Sequence, residues 1–114
     1  MSYYLFLDDI RWVEDVRKYC VLPNINDEEW IIARNYKEFV DLITLRGLPK
    51  FVCYDHDLAD CVNIIEMTGF DCAKWLVAYC SDRNIKHPPY VVHSKNPIGK
   101  QNIESYINSY NKTL

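Results

Sequence analysis

Three times along this chain a short apolar run stops at a cluster of polar, reactive side chains. Residues 3–7 (YYLFL) run into Asp8-Asp9, residues 51–54 (FVCY) into Asp55-His56-Asp57, and residues 90–92 (YVV) into His93-Ser94. Continuous apolar runs of this length read as strands buried on both faces. A fourth run, Trp30 to Ala33, ends more blandly in Arg34-Asn35. Helical patterns fall between these runs. The first carries Trp12, Val13, Val16, Tyr19 and Cys20 on one stripe and ends at Pro23-Asn24. The second starts at Asn35 as N-cap with Glu38 in the capping-box position, buries Phe39, Val40 and Ile43, and stops at Gly47 and Pro49. The third, capped by Thr68 with Asp71, has the stripe Cys72, Trp75, Leu76, Tyr79 and Cys80. The fourth runs from about Pro97 to Tyr110, with Ile103, Tyr106, Ile107 and Tyr110 facing inward. Residues 58–69 read as a loop with at most one short turn of structure.

The order β-α-β-α-β-α-β-α implies a parallel sheet with right-handed crossovers. At 114 residues the chain has material for one domain, spanning 1–114, and no second core. Parallel strands put all their carboxyl ends on one edge, which is where open α/β sheets bind ligands. The three polar clusters are therefore expected to converge there.

Bulk properties narrow the function classes. A formal net charge of −3 argues against non-specific duplex DNA as a partner. Five cysteines without a CxxC pair argue against a disulfide framework and a zinc site, and fit buried thiols in a reducing compartment. Neither a signal peptide nor a membrane span is legible. The expected location is cytoplasmic.

The candidate chemistry starts from crowded carboxylates. Asp8, Asp9, Asp55 and Asp57 in one place would raise each other's pKa, and a divalent cation relieves that repulsion. Hard oxygen donors in this number suit Mg²⁺ or Mn²⁺. The bland alternative is that strand-end Asp residues cap helices, with Asp9 on the first helix and Asp57 in a turn. His56 and His93 at one edge suit general acid–base work near neutral pH, while His87, before Pro88-Pro89, reads as a loop residue. Asn96-Pro97 is an N-cap followed by N1, so a helix start faces the site edge and offers amides to an anion. Gly99 would let a ligand approach the backbone, Lys95 or Lys100 would add charge, and Ser94 would donate to a phosphate oxygen. Arg11 would pair with a carboxylate or reach a phosphate.

An acidic pair after the first strand, an Asp after the third and a Ser after the fourth resemble the receiver domain of two-component signalling, at Asp8, Asp9, Asp55 and Ser94. The chain departs from that pattern in its two extra histidines and in lacking a fifth strand with the receiver's Lys. The segments LDDIR (7–11), DHDL (55–58) and HSKNPIGKQNI (93–103) resemble more closely the cyclic-phosphate-processing receiver domain of phages and bacteria. The resemblance covers essentially the whole chain. It implies a three-layer α/β/α sandwich, receiver-like (flavodoxin-like), with a parallel four-stranded sheet in the order 2-1-3-4. It also implies phosphoesterase-like processing of a cyclic phosphate, either an RNA 2′,3′-cyclic end or a cyclic nucleotide. The location would be a host cytoplasm if the chain is phage-encoded. On this reading Asp8, Asp9, Asp55 and Asp57 hold Mg²⁺ or Mn²⁺, His56 and His93 with Asp55 carry the chemistry, and Arg11, Ser94, Asn96, Gly99 and Lys100 bind the phosphate. A version without metal keeps the histidine pair and uses Arg11 and Lys100 as electrostatic partners. Two other classes remain open: a sponge that binds a phosphorylated nucleotide or RNA end without turnover, and a switch phosphorylated on Asp55.

Overall fold

The computed structural model describes residues 2–25, 29–62 and 65–114. In chain order the elements are β1 (Tyr4–Leu7), α1 (Val13–Arg17), β2 (Trp30–Ala33), α2 (Tyr36–Arg46), β3 (Phe51–Tyr54), β4 (Asp60–Val62), β5 (Ile65–Met67), α3 (Gly69–Asp82), β6 (Tyr90–Val92) and α4 (Pro97–Asn111). The main sheet is parallel, in the order β2-β1-β3-β6. The expected order 2-1-3-4 is corrected in its last number. The strand beside β3 is β6, because β4 and β5 form a separate antiparallel pair in the segment expected to be a loop.

Each strand alternates between two faces, as the two-residue period requires. Leu5, Leu7, Ala33, Val52, Tyr54 and Val92 pack with Phe39, Ile43, Cys72, Leu76, Ile103 and Ile107 from α2, α3 and α4. Phe6, Trp30 and Cys53 pack on the other face with Val13 and Val16 of α1 and with Leu22. The fold is thus a receiver-like sandwich whose second outer layer is thin. The expected first helical stripe is cut short there. α1 buries Val13 and Val16, but Trp12 and Tyr19 lie outside it and are exposed. The chain then folds back, with an Arg17 Nη2 bond to the Pro23 carbonyl at 3.1 Å. An aromatic group of Tyr4, Phe6, Trp30 and Phe51, with ring centroids 5.5–6.3 Å apart, fills this thin side.

The remaining helices start where the caps predict. Asn35 accepts from the Glu38 amide, Thr68 and Asp71 form a reciprocal capping box, and Asn96 accepts from the Gly99 amide with Pro97 following. Gly47 ends α2 at φ 86°, a left-handed conformation that side chains disfavour. Tyr106, expected to face inward on α4, is 39% exposed. Among the described residues no helix is long and apolar enough to cross a membrane.

Candidate active site at the carboxyl edge of the sheet

The last rungs of the parallel ladder bring three polar residues into register. The amide of Asp8 donates to the Ala33 carbonyl at 3.2 Å, that of Asp55 to Leu7 at 3.0 Å and that of His93 to Tyr54 at 2.9 Å. Asp8, Asp55 and His93 share the strand parity of Phe6, Cys53 and Val91, so all three side chains turn toward the α1 face. They are buried, and one donor atom from each lies within 4.8 Å of the others.

Asp8 is fully engaged. Its Oδ1 accepts the amides of Ile10 and Arg11 at 3.0 and 2.8 Å, and its Oδ2 accepts His93 Nε2 at 2.8 Å and Arg11 Nη1 at 3.5 Å. Burial opposes its ionisation. The bond from His93 and the two amides outweigh burial and hold the carboxyl well below the usual range. Asp55 differs. Burial and then the charge of Asp8 push it up to about 6, although His93, Arg11 and the His56 amide pull the other way. The helix-capping alternative for Asp9 does not hold: Asp15 reaches back to the Trp12 amide at 2.9 Å and caps α1.

His93 stands edge-on between two partners. A carboxylate can only accept, so Nε2–H donates to Asp8, which leaves Nδ1 to accept from the Cys53 thiol at 2.9 Å. Burial pushes the Cys53 thiol well up, so it keeps its proton. The imidazole also stacks on Phe6 at 5.1 Å with an interplanar angle of 2°.

His56 lies apart from this group. Its Nδ1 bonds Asp57 Oδ1 at 2.9 Å, and Asn96 Nδ2 donates to the same oxygen at 3.4 Å. Gly99 is buried, and a Cβ there would meet His56 Cγ at 2.4 Å. The group that approaches the Gly99 backbone is thus the His56 ring, which corrects the expectation of a ligand there.

An open cleft of about 230 Å³ borders this edge, lined by Asp9, Ile10, Arg11, Asp55, Asp57, Ser94 and Lys95. It gathers three of the four expected carboxylates with Arg11 and Ser94. His56, His93, Asn96, Gly99, Lys100 and Asp8 stand outside its lining. Ser94 Oγ accepts the Asn96 amide at 3.1 Å, which leaves its O–H free to donate.

Three contributors were not singled out from sequence. Cys53 orients His93. Gly69 lets α3 start against the Asp55-His56 backbone, with its amide on the His56 carbonyl at 2.7 Å; a Cβ there would fall 1.7 Å from the Asp55 carbonyl oxygen. Arg34 Nη1 donates to the carbonyls of Asp8 and Arg11 at 3.2 and 2.7 Å and ties the β1–α1 loop to β2. Strand parity alone would have flagged Cys53; the other two carry no local signal.

The donor set fits a divalent cation. Asp55 is buried beside Asp8, and Asp9 and Asp57 border the same cleft, so the donors on offer are carboxylate oxygens, while both ring nitrogens of His93 are taken.

The solved structure of the bacteriophytochrome response regulator AtBRR is similar over 93% of this chain and 75% of that one, with a TM-score of 0.57 and 19% identity. At that identity the likeness concerns the fold. No curated protein matches the chain. Residues 3–109 match the family described as the cyclic-phosphate processing receiver domain, which spans all three strand-end clusters. A receiver-like sheet with those clusters gathered on its carboxyl edge, together with a match over nearly the full length, places this chain in the cyclic-phosphate processing receiver domain family.

Proposed function

We propose that the carboxyl-edge cleft hydrolyses a cyclic phosphate. The observation that carries this reading is the cleft itself, where Asp9, Asp55 and Asp57 face Arg11, Lys95 and Ser94. Carboxylates that suit a cation and basic groups that suit a phosphate oxygen line the same cleft. Asp9, Asp55 and Asp57, the carboxylates that line the cleft, would hold Mg²⁺ or Mn²⁺, which when bound neutralises charge and polarises a phosphate oxygen, with Asp8 behind Asp55. Arg11 and Lys95 bind non-bridging oxygens, and the Ser94 hydroxyl donates to one of them.

The acid–base work is assigned to His56, which stands outside the cleft lining and reaches the cleft's border through Asp57. Asp57 accepts its Nδ1–H, which leaves Nε2 with the lone pair that takes a proton from water. Oxygen of that water bonds to phosphorus, one ring P–O ester bond breaks, and the proton is passed to the leaving oxygen. His93 has both ring nitrogens occupied and is 3% exposed, so it serves as a positioning residue for Asp8. The histidine pair expected from sequence thus splits into one proton carrier and one brace.

The test is product formation from 2′,3′-cyclic nucleotides, with and without Mg²⁺ or Mn²⁺, read by phosphorus NMR. Wild type should yield a monophosphate, and His56→Ala should lower the rate by roughly 10²–10⁴. Tight binding of the cyclic nucleotide without any product would replace this reading with sequestration. Stable phosphorylation of Asp55 by acetyl phosphate would replace it with a switch.

A further inference from the structure

The two basic side chains that line the carboxyl-edge cleft, Arg11 and Lys95, are held in different ways. Arg11 is anchored by charge, its Nη1 3.5 Å from Asp8 Oδ2. Lys95 is exposed in the loop between β6 and α4, and among the described residues no carboxylate forms a salt bridge with it. A free lysine samples many rotamers, and fixing it on a ligand costs that freedom. Here its ammonium lies over the Tyr19 ring instead, 5.9 Å from the centroid. That is within reach of the attraction between a cation and the negative face of an aromatic ring.

Tyr19 belongs to the helical stripe expected to be buried, but α1 stops at Arg17 and leaves it in the turn beyond. That turn is fixed by the Val16 carbonyl, which accepts the amides of Tyr19 and Cys20 at 3.1 and 2.9 Å. The ring stays half-exposed. Burial raises the pKa of the phenol, and the charged groups that act on it next are Arg11, Asp8 and Asp55. Tyr19 is thus close to the same edge of the sheet, reaching it from the thin side, while Lys95 reaches it from the loop before α4. A leucine or valine at position 19 would fill space there without attracting an ammonium.

We propose that Tyr19 is a positioning residue that holds the Lys95 ammonium at the carboxyl-edge cleft, ready for a phosphate oxygen. A lysine held before the ligand arrives has less freedom to lose on binding it, so the ring raises affinity without touching the phosphate. The hold on Lys95 stands on the ring contact alone; its use on phosphate rests on the cyclic-phosphate reading.

Two measurements test this. The first is proton NMR of the Lys95 methylene beside the ammonium, assigned by its loss in Lys95→Gln. The Tyr19 ring current should move that signal upfield of the other lysines. Tyr19→Leu, at a half-exposed position, should return it to the ordinary place, and Tyr19→Phe should keep it shifted. The second is calorimetry with inorganic phosphate, with and without Mg²⁺. Tyr19→Leu should weaken phosphate roughly two- to fivefold, the range of an exposed contact between a cation and a ring. Tyr19→Phe should bind as wild type does. The double variant Tyr19→Leu/Lys95→Gln should bind no more weakly than Lys95→Gln, because the ring acts only through the lysine. An unshifted Lys95 signal in wild type, or one that Tyr19→Leu leaves in place, would overturn the hold. Full phosphate affinity in Tyr19→Leu, or losses that simply add in the double variant, would overturn the positioning role. Shifted signals in a wild type that binds no phosphate would uphold the hold and reject the cyclic-phosphate reading. Phosphate binding with unshifted signals would do the reverse.

Discussion

Strand β6 carries a histidine near each end, and the two environments are close to mirror images. His87 and His93 are both 3% exposed. In each, one ring nitrogen accepts from a neutral hydrogen donor: Tyr54 Oη at 2.7 Å for His87 Nε2, and the Cys53 thiol at 2.9 Å for His93 Nδ1. In each, the other nitrogen donates to oxygen. For His87 that oxygen is the Pro88 carbonyl, at 2.7 Å; for His93 it is the Asp8 carboxylate. One formal charge separates a core histidine from a site histidine. His87, expected to be a loop residue, does lie between elements but is sealed in the core. Burial lowers its pKa to about 4, against a smaller upward pull from the Pro88 carbonyl. Burial alone therefore says little about what a histidine does; the charge of the group it faces says more.

Removing the brace should have the largest effect. His93→Ala strips Asp8 of its buried donor and leaves a void against Phe6, so it should cost about 3–5 kcal/mol at neutral pH by urea unfolding. The loss should shrink in acid, where Asp8 of the variant can take up a proton. A cost under about 1 kcal/mol would mean that the two histidines are equivalent packing residues.

His87 should govern acid lability. Its folded pKa lies below its unfolded value of about 6.5, so the folded state binds fewer protons. Its stability contribution is complete above pH 6.5 and is lost as pH falls toward 4. The interval corresponds to about 3 kcal/mol. His87→Gln should flatten that slope in a pH series of unfolding free energies.

Asp55 should act with the opposite sign and nearly the same size. Its folded pKa of about 6 lies above the usual 3.8, so the folded state binds more protons. That contribution is present below pH 3.8 and is lost as pH rises through 6, again about 3 kcal/mol. Between pH 4 and 6 the two slopes oppose each other, and metal-free wild type should look almost indifferent to pH. His87→Gln should expose the falling Asp55 slope, and Asp55→Asn the rising His87 slope. A steep wild-type profile with neither variant altering it would break this account.

The smallest effect concerns the third histidine. Gly99→Ala forces the His56 ring off the α4 backbone and should cost about 1–2 kcal/mol, since overpacking outweighs the gain in helix propensity. It should also lower turnover by loosening the His56–Asp57 bond, with His93 and its imidazole NMR signals undisturbed.

Much of this protein was legible from local pattern. The apolar runs gave the four sheet strands because a strand covered on both faces must be apolar throughout, and strand–helix alternation allows little besides parallel crossovers. The caps at Asn35, Thr68 and Asn96 were readable because a cap satisfies amides within its own first turn. The gathering of Asp8, Asp55 and His93 followed from parallel strands ending on one edge. What only the tertiary structure decided depends on contacts between residues far apart in the chain. His93 and Asp8 are 85 residues apart and His93 and Cys53 are 40 apart. No periodicity records that both ring nitrogens are taken. The short α1 arose because its two buried valines are its only anchors on the sheet while Trp12 and Tyr19 turn to solvent. The β4–β5 pair escaped notice because its strands are three residues each, too short for alternation to rise above a loop. Gly99 was read as space for a ligand, because a glycine's sequence says only that something comes close. The packing of α4 on the sheet edge decided that this something is His56.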